Sequence, residues 1–281
     1  MEETSPATAA ANQTAPAQAS TQGQMPGATS IPPKKQRMYP ELIIPYPEHP
    51  NRLLAFPLLG YAAKALASLP QAFIIMFLGV FVFILWLITP FVTLFTGKLW
   101  NPMYKYSIIY LRFYTKVYLF LYGLTDKYPG FSMDEGGIFA LNYPKPEKSS
   151  RLLAFPIVGI AIRIILLIPF SLFGAVMGMG AFIALICSWF VVLFTGRYPE
   201  SLYEFIKDYF RVWNAFYIYL FYLSDTYPSF RISMNHKVVK IILLALGTLL
   251  LLLDYGNSFN NALHPPQNQY NNSSPASTSG Y

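Results

Sequence analysis

Shifted by 99 positions, the sequence aligns with itself without a gap from residue 52 to residue 131. Arg52-Leu-Leu-Ala-Phe-Pro57 recurs as Arg151-Leu-Leu-Ala-Phe-Pro156, and Leu94-Phe-Thr-Gly-Lys98 as Leu193-Phe-Thr-Gly-Arg197. Asp126-Lys-Tyr-Pro-Gly-Phe131 returns as Asp225-Thr-Tyr-Pro-Ser-Phe230. Chance likeness between two greasy stretches would match Leu and Ile, whereas here Arg, Gly, Pro and Asp coincide. The chain is a duplication, and any fold must be built from two copies of one unit.

Each unit opens on a long apolar run, 53–96 and 152–195. As one helix, such a run of 44 residues would measure about 66 Å, twice the roughly 30 Å hydrocarbon core of a bilayer. Two legs per unit are therefore expected, broken after Pro70 in the first unit and at the glycine-rich stretch 174–180 in the second. A second segment follows each hairpin. In the second unit Leu202, Phe205, Ile206, Tyr209 and Trp213 recur at three- and four-residue spacing, with Glu200, Glu204, Lys207, Asp208 and Arg211 opposite. That pattern predicts an amphipathic helix entered through Pro199 and lying in the headgroup region. A last apolar run, 238–253, predicts a C-terminal transmembrane helix.

The composition fits lipid as solvent: 54% of the residues are hydrophobic and 12% charged, about half the usual charge of a soluble domain. The net charge of +7 comes with no nucleic-acid motif, so anionic headgroups, not nucleic acid, are the expected partner. Cys187 is a single cysteine, and His49, His236 and His264 are far apart in sequence. Neither a disulfide nor a zinc site is expected, and no cofactor. Residues 1–42 and 255–281 read as polar, disordered tails. Between them lie unit one (43–133), a linker (134–150), unit two (151–233) and the last helix (234–254). Eight basic residues stand between the apolar runs of the two units and six between Arg197 and Lys240. With Lys34, Lys35, Arg37 and Arg52 before the first, they predict a multi-pass protein with a cytoplasmic N-terminus. An even number of legs per unit makes the two units parallel repeats about an axis along the membrane normal.

The run Trp189-Phe-Val-Val-Leu-Phe-Thr-Gly-Arg-Tyr-Pro-Glu-Ser-Leu-Tyr-Glu-Phe205 resembles the bacterial membrane-protein family called domain of unknown function 4389. That family pairs this signature with an upstream Arg…Ile-Pro helix, matched at 163–169, and a downstream Asp-x-Tyr-Pro-x-Phe, matched at 225–230. The resemblance covers nearly all of unit two. Unit one follows it more loosely, with Lys98-Leu-Trp in place of the Arg-Tyr-Pro step. It implies a bacterial inner membrane protein and carries no activity.

Lys64 and Arg163 hold matching places inside the apolar runs. An ionised group at membrane depth costs at least about 2.5–3.5 kcal/mol, so it needs a partner or a route out. Either the two form a polar site shared between the units, or they snorkel to headgroups. Lys98, Arg112, Arg197 and Arg211 are candidates for cradling lipid phosphate, or else topological anchors. Asp126 and Asp225, the matched acidic residues, point to a turn or an ion pair with a matched arginine. No catalytic motif accompanies them. The expected all-α protein is thus a non-enzymatic membrane scaffold or accessory subunit, with a homo-oligomer or a partner membrane protein favoured by Gly174, Gly178 and Gly180. The alternative is a small transporter or lipid-handling protein with a polar site between the units.

Overall fold

A computed structural model of the chain describes residues 41–264 apart from 135, 136, 144, 147 and 148. The bulk of both expected tails, with Lys34, Lys35 and Arg37, lies outside the described residues. Among the described residues the chain forms six helices and one short ribbon: β1 (Glu41–Ile43), α1 (Leu59–Ala67), α2 (Leu69–Thr96), α3 (Asn101–Leu121), β2 (Ala140–Asn142), α4 (Val158–Thr195), α5 (Glu200–Leu220) and α6 (Lys237–Leu263). The architecture is all-α, and α2, α4 and α6 are long and apolar enough to cross a membrane.

The hairpin expected inside each apolar run does not form. In unit two the run is a single helix of 38 residues, about 57 Å long. In unit one α1 and α2 follow each other with only a bend at Ser68, where Ala72 N–H still bonds Ser68 O at 3.0 Å. Pro70 sits in the first turn of α2, where its missing N–H costs nothing. The glycines of 174–180 are packing notches instead of a turn. A Cβ on Gly178 would meet the Tyr209 ring at 3.4 Å, and one on Gly180 would meet Phe205 and the Leu243 carbonyl at 2.9 Å. On α6, a Cβ on Gly247 would fall 2.5 Å from Val176 O. The small-residue face of α4 is thereby used within the chain, by α5 and α6.

The antiparallel partners are α2 with α3 and α4 with α5. Phe81 meets Tyr106 edge-on at 4.8 Å between centroids, and an ideal Cβ on Gly79 reaches Tyr110 at 3.4 Å. α2 and α4 each end in a left-handed glycine, Gly97 (φ 68°) and Gly196 (φ 70°), the usual stop for a helix C-terminus. The threonine before it accepts from the next backbone N–H, at 3.3 Å for Thr96 and Lys98 and 3.2 Å for Thr195 and Arg197. The repeated Phe-Thr-Gly-basic motif is this cap. The repeated Leu-Leu-Ala-Phe-Pro motif is a tight entry turn. Leu58 and Ile157 take φ of 61° and 67°, and a Cβ on Gly60 or Gly159 would strike a leucine carbonyl at 2.4 or 2.5 Å.

The two units pack about a pseudo-two-fold axis. Leu42 faces Leu141 at the centre of the antiparallel β1–β2 ribbon, and Thr115 of α3 bonds Asn214 of α5; both pairs are one repeat length apart. The contacts flanking them are reciprocal. Tyr122 meets Tyr209 at 5.8 Å as Tyr110 meets Phe221 at 6.0 Å. Tyr104 Oη donates to Tyr143 O at 2.8 Å, as Tyr203 Oη donates to Ile44 O. An interface in which i touches j and j touches i is isologous. Because α3 and α5 run antiparallel, the axis stands across them, and the ribbon sits on it.

The unit boundaries move accordingly. β1 straddles the expected boundary between the tail and unit one, and β2 falls inside the expected linker, so each unit begins with its own strand. α6 runs past Asp254 to Leu263, and the chain leaves the helix at His264 (φ −126°, ψ 73°) because Pro265 follows.

Candidate functional site

The matched charges meet. Lys64 Nζ donates to Asp126 Oδ1 at 3.1 Å, and in the other unit Arg163 Nη2 donates to Asp225 Oδ1. Lys64 is 4% exposed and Arg163 2%, so neither snorkels to the surface. The second oxygen of each aspartate accepts a backbone N–H across the turn: Asn51 N bonds Asp126 Oδ2, and Ser150 N bonds Asp225 Oδ2, both at 2.6 Å. Each aspartate therefore ties the end of the second helix of its unit to the base on the first and to the entry turn. Since Asp126 follows α3 and Asp225 follows α5, the two clusters stand at opposite ends of the antiparallel pair. They do not merge at the axis.

Arg163 is the better satisfied base. Its guanidinium also donates to Tyr219 O at 2.8 Å, Ser224 O at 3.0 Å and Leu153 O at 3.4 Å. It stacks on Tyr222 at 4.3 Å and Tyr219 at 4.9 Å. Planar arginine suits such a crowded site, whereas lysine offers only a point charge. Lys64 has the single bond to Asp126 and a ring contact with Phe120 at 5.2 Å.

The four remaining basic candidates do not converge. Arg112 Nη2 donates to Leu141 O at 3.2 Å, fastening the ribbon to α3. Arg211 pairs with Asp208 at 2.8 Å and also bonds Ser233. Lys98 and Arg197 are exposed beside the glycine caps, and Arg112 lies 11 residues into α3, about 16 Å along the helix. Each cap instead receives an arginine from the other unit. A Cβ on Gly97 would lie 3.1 Å from Arg151 Nε, and one on Gly196 2.6 Å from Arg52 Nη2. Cations there oppose the negative end of the helix dipole.

Two buried charges outside the expected set hold loops down. Lys116, fully buried, donates to Ser132 O at 2.5 Å and Asp134 O at 3.2 Å. Asp208, 2% exposed, accepts from Ser233 N at 2.7 Å and Met234 N at 2.9 Å. The polar face of α5 is therefore covered by its own following segment. Lys116 has Ala215 as its repeat partner and Asp208 has Ile109, so the repeat gave no signal for either. Among the described residues no group of three His, Cys, Asp or Glu could hold a metal ion.

No curated protein and no solved structure matches the chain. The family model described as Domain of unknown function (DUF4389) matches it twice, at 61–133 and at 158–231. These limits enclose the two long helices, the two that follow them, and both Lys/Arg–Asp clusters. With the matches together spanning just over half of its 281 residues, the chain belongs to this family, in two tandem copies.

Proposed function

We propose that the protein is a non-enzymatic scaffold or accessory subunit of the bacterial inner membrane, seated with its pseudo-two-fold axis along the membrane normal. The observation that carries this reading is the ribbon. β1 and β2 lie on the axis, across the middle of α3 and α5, and bring with them exposed Glu41 and Asn142. Were the antiparallel helices upright, these groups and the extended chain beside them would sit at the bilayer centre, where unpaired backbone and charge are strongly disfavoured. Laid in the membrane plane, the helices put the ribbon in water.

The apolar surface supports the same arrangement. Leu152 (74% exposed) precedes α4 and Phe194 (78%) ends it, and Leu53 (81%) and Phe95 (82%) bracket α1 and α2. Lipid must meet about 57 Å of helix, which a roughly 30 Å core does not cover even at a 40° tilt. The basic residues of the ribbon side make that side cytoplasmic. There anionic lipids would meet Lys98 with Arg151, and Arg197 with Arg52, at two equivalent depths. Lys64, Arg163, Asp126 and Asp225 serve one another, which favours a scaffold over a carrier. An opening between the units beside Lys64 favours a second reading, in which the chain also handles a small polar group.

Lys98 and Arg197 exchange places under the two-fold, so their sidedness tests the orientation. Lys98→Cys and Arg197→Cys, each in a Cys187→Ser background, should react with an impermeant maleimide from the same, cytoplasmic side. Labelling from opposite faces would put the axis in the membrane plane and end this reading. A transport or turnover signal abolished by Lys64→Ala with Arg163→Ala, in a protein that still folds, would replace the scaffold by the carrier.

A further inference from the structure

The two Lys/Arg–Asp clusters are equivalent by descent and differ in what fills them. In unit two the chain turns through Tyr222 at φ 63°, and the Tyr222 ring lies over the Arg163 guanidinium. The corresponding residue of unit one is Gly123, at φ 72°, and a Cβ there would lie 3.7 Å from Lys64 Nζ. The missing ring leaves a narrow pocket, lined by Tyr61, Lys64, Gly123 and Asp126 of unit one and by Trp189 and Tyr198 of unit two. The three aromatic positions of this wall, Tyr61, Trp189 and Tyr198, correspond to Ile160, Pro90 and Leu99 around the filled site.

The pocket holds hydrogen-bond donors with nothing to bond. Tyr198 is 4% exposed, and its hydroxyl has no hydrogen-bond partner among the described residues. The Ser188 hydroxyl near it donates to Leu185 O at 2.7 Å and makes no hydrogen bond with the phenol. A buried hydroxyl left unpaired costs about 1–3 kcal/mol. Burial pushes the Tyr198 phenol well above its ordinary range, so it remains a donor. Lys64 carries three N–H donors, of which one reaches Asp126. Asp126 has both oxygens occupied. Arg52, against Gly196, and Arg197, next to Tyr198, tip the mouth towards positive charge.

We propose that the vacated pocket of unit one binds a small oxyanion, a phosphate or carboxylate group, whose oxygens accept from Lys64 Nζ and Tyr198 Oη. The aromatic wall shields the group from water, and Asp126 keeps the lysine in place without competing for its remaining protons. One unit thus closes its site with its own tyrosine, while the other keeps it for a ligand. The oxyanion is either the headgroup of an anionic lipid or a free small anion. The pocket would hold it whichever way the two-fold axis stands in the membrane.

The test uses the full chain, with Tyr198→Phe, which removes one oxygen, and Gly123→Tyr, which restores the plug of unit two. Calorimetric titration in detergent with inorganic phosphate and with acetate reads the free anion. Native mass spectrometry from phosphatidylcholine nanodiscs with and without phosphatidylglycerol reads the lipid. Saturable binding of phosphate or acetate, weakened about tenfold by Tyr198→Phe (loss of one hydrogen bond) and abolished by Gly123→Tyr, identifies a free anion. One retained phosphatidylglycerol per chain, lost in both variants, identifies a headgroup. If wild type binds neither probe better than the variants do, the pocket holds only water and the proposal fails. Should Gly123→Tyr not fold, Tyr198→Phe decides alone.

Discussion

Thr115 and Asn214 are the same residue of the repeat, and they hydrogen-bond to each other. Asn214 Nδ2 donates to Thr115 Oγ1 at 3.2 Å, and the Thr115 hydroxyl lies 3.3 Å from Asn214 Oδ1. Equivalent residues can touch only on the symmetry axis, so this bond marks where the units pivot. Asn214 Nδ2 also reaches Phe210 O at 2.8 Å, and both side chains are buried. Thr115→Val leaves Asn214 Oδ1 without its partner inside the interface, Nδ2 keeping only Phe210 O, and is expected to cost about 1–3 kcal/mol. Asn214→Leu in the same chain should recover part of that loss, because two apolar groups strand no polar atom. Chemical denaturation in mild detergent measures both; equal destabilisation of the single and the double variant would show that the pair does not couple.

The ion-pair clusters should respond unequally. Arg163 is buried with four acceptors, whereas Lys64 has one. Removing one partner of a buried pair costs about 3–5 kcal/mol, and Arg163→Met should fall in that range. It strands the Ser224 carbonyl and Asp225 Oδ1 and takes from Tyr219 O one of its two donors. Lys64→Met should cost less, since a single hydrogen bond is lost. Thermal melts followed by tryptophan fluorescence would order the two; a larger loss at Lys64 contradicts the geometry.

Much of this is legible in the sequence, and what is not has physical causes. The duplication and the amphipathic α5 follow from residues recurring at fixed spacing, whereas the bases that Asp126 and Asp225 hold are Lys64 and Arg163 and not arginines matched between the units. The expected hairpins assumed that an apolar run longer than the bilayer must fold back. In unit two that run is one continuous helix of 38 residues, and Gly178 and Gly180 serve the rings of Tyr209 and Phe205. The ribbon left a trace as well, for Leu42, Pro45, Pro47 and Glu48 recur as Leu141, Pro144, Pro146 and Glu147. That signal is short and lies upstream of the apolar run, where polar composition reads as the end of a tail and a linker. Lys116 and Asp208 left none, because each occurs in one unit only.

The seam between α4 and α6 depends on backbone proximity at two glycines. A Cβ on Gly247 would lie 2.5 Å from Val176 O and 2.9 Å from Gly180 N, and both of those are backbone atoms that cannot swing aside. Gly247→Leu must therefore push α6 away from α4. Since α6 follows both units, their shared core should persist. Hydrogen exchange is expected to lose protection in α6 and along the facing part of α4, with α3 and the ribbon unchanged. Protection retained in α6 would mean that its docking does not run through this contact.

Reciprocal packing makes a last demand on energies. Arg52 lies on Gly196 of the other unit as Arg151 lies on Gly97, each guanidinium facing the carbonyl end of a long helix. A cation at a helix C-terminus is worth about 0.3–1 kcal/mol when exposed, and both arginines are exposed. Arg52→Ala and Arg151→Ala should each weaken stability by that order, and by similar amounts, since symmetry gives them like surroundings. The two caps stand at opposite ends of the molecule, so the double variant should lose the sum to within about 0.3–0.5 kcal/mol. Added salt should shrink both effects, as screening does for exposed charges. A difference of several-fold between the two single variants, or a double variant no weaker than one of them, would show that the helix caps do not share the symmetry of the ribbon and the α3–α5 crossing.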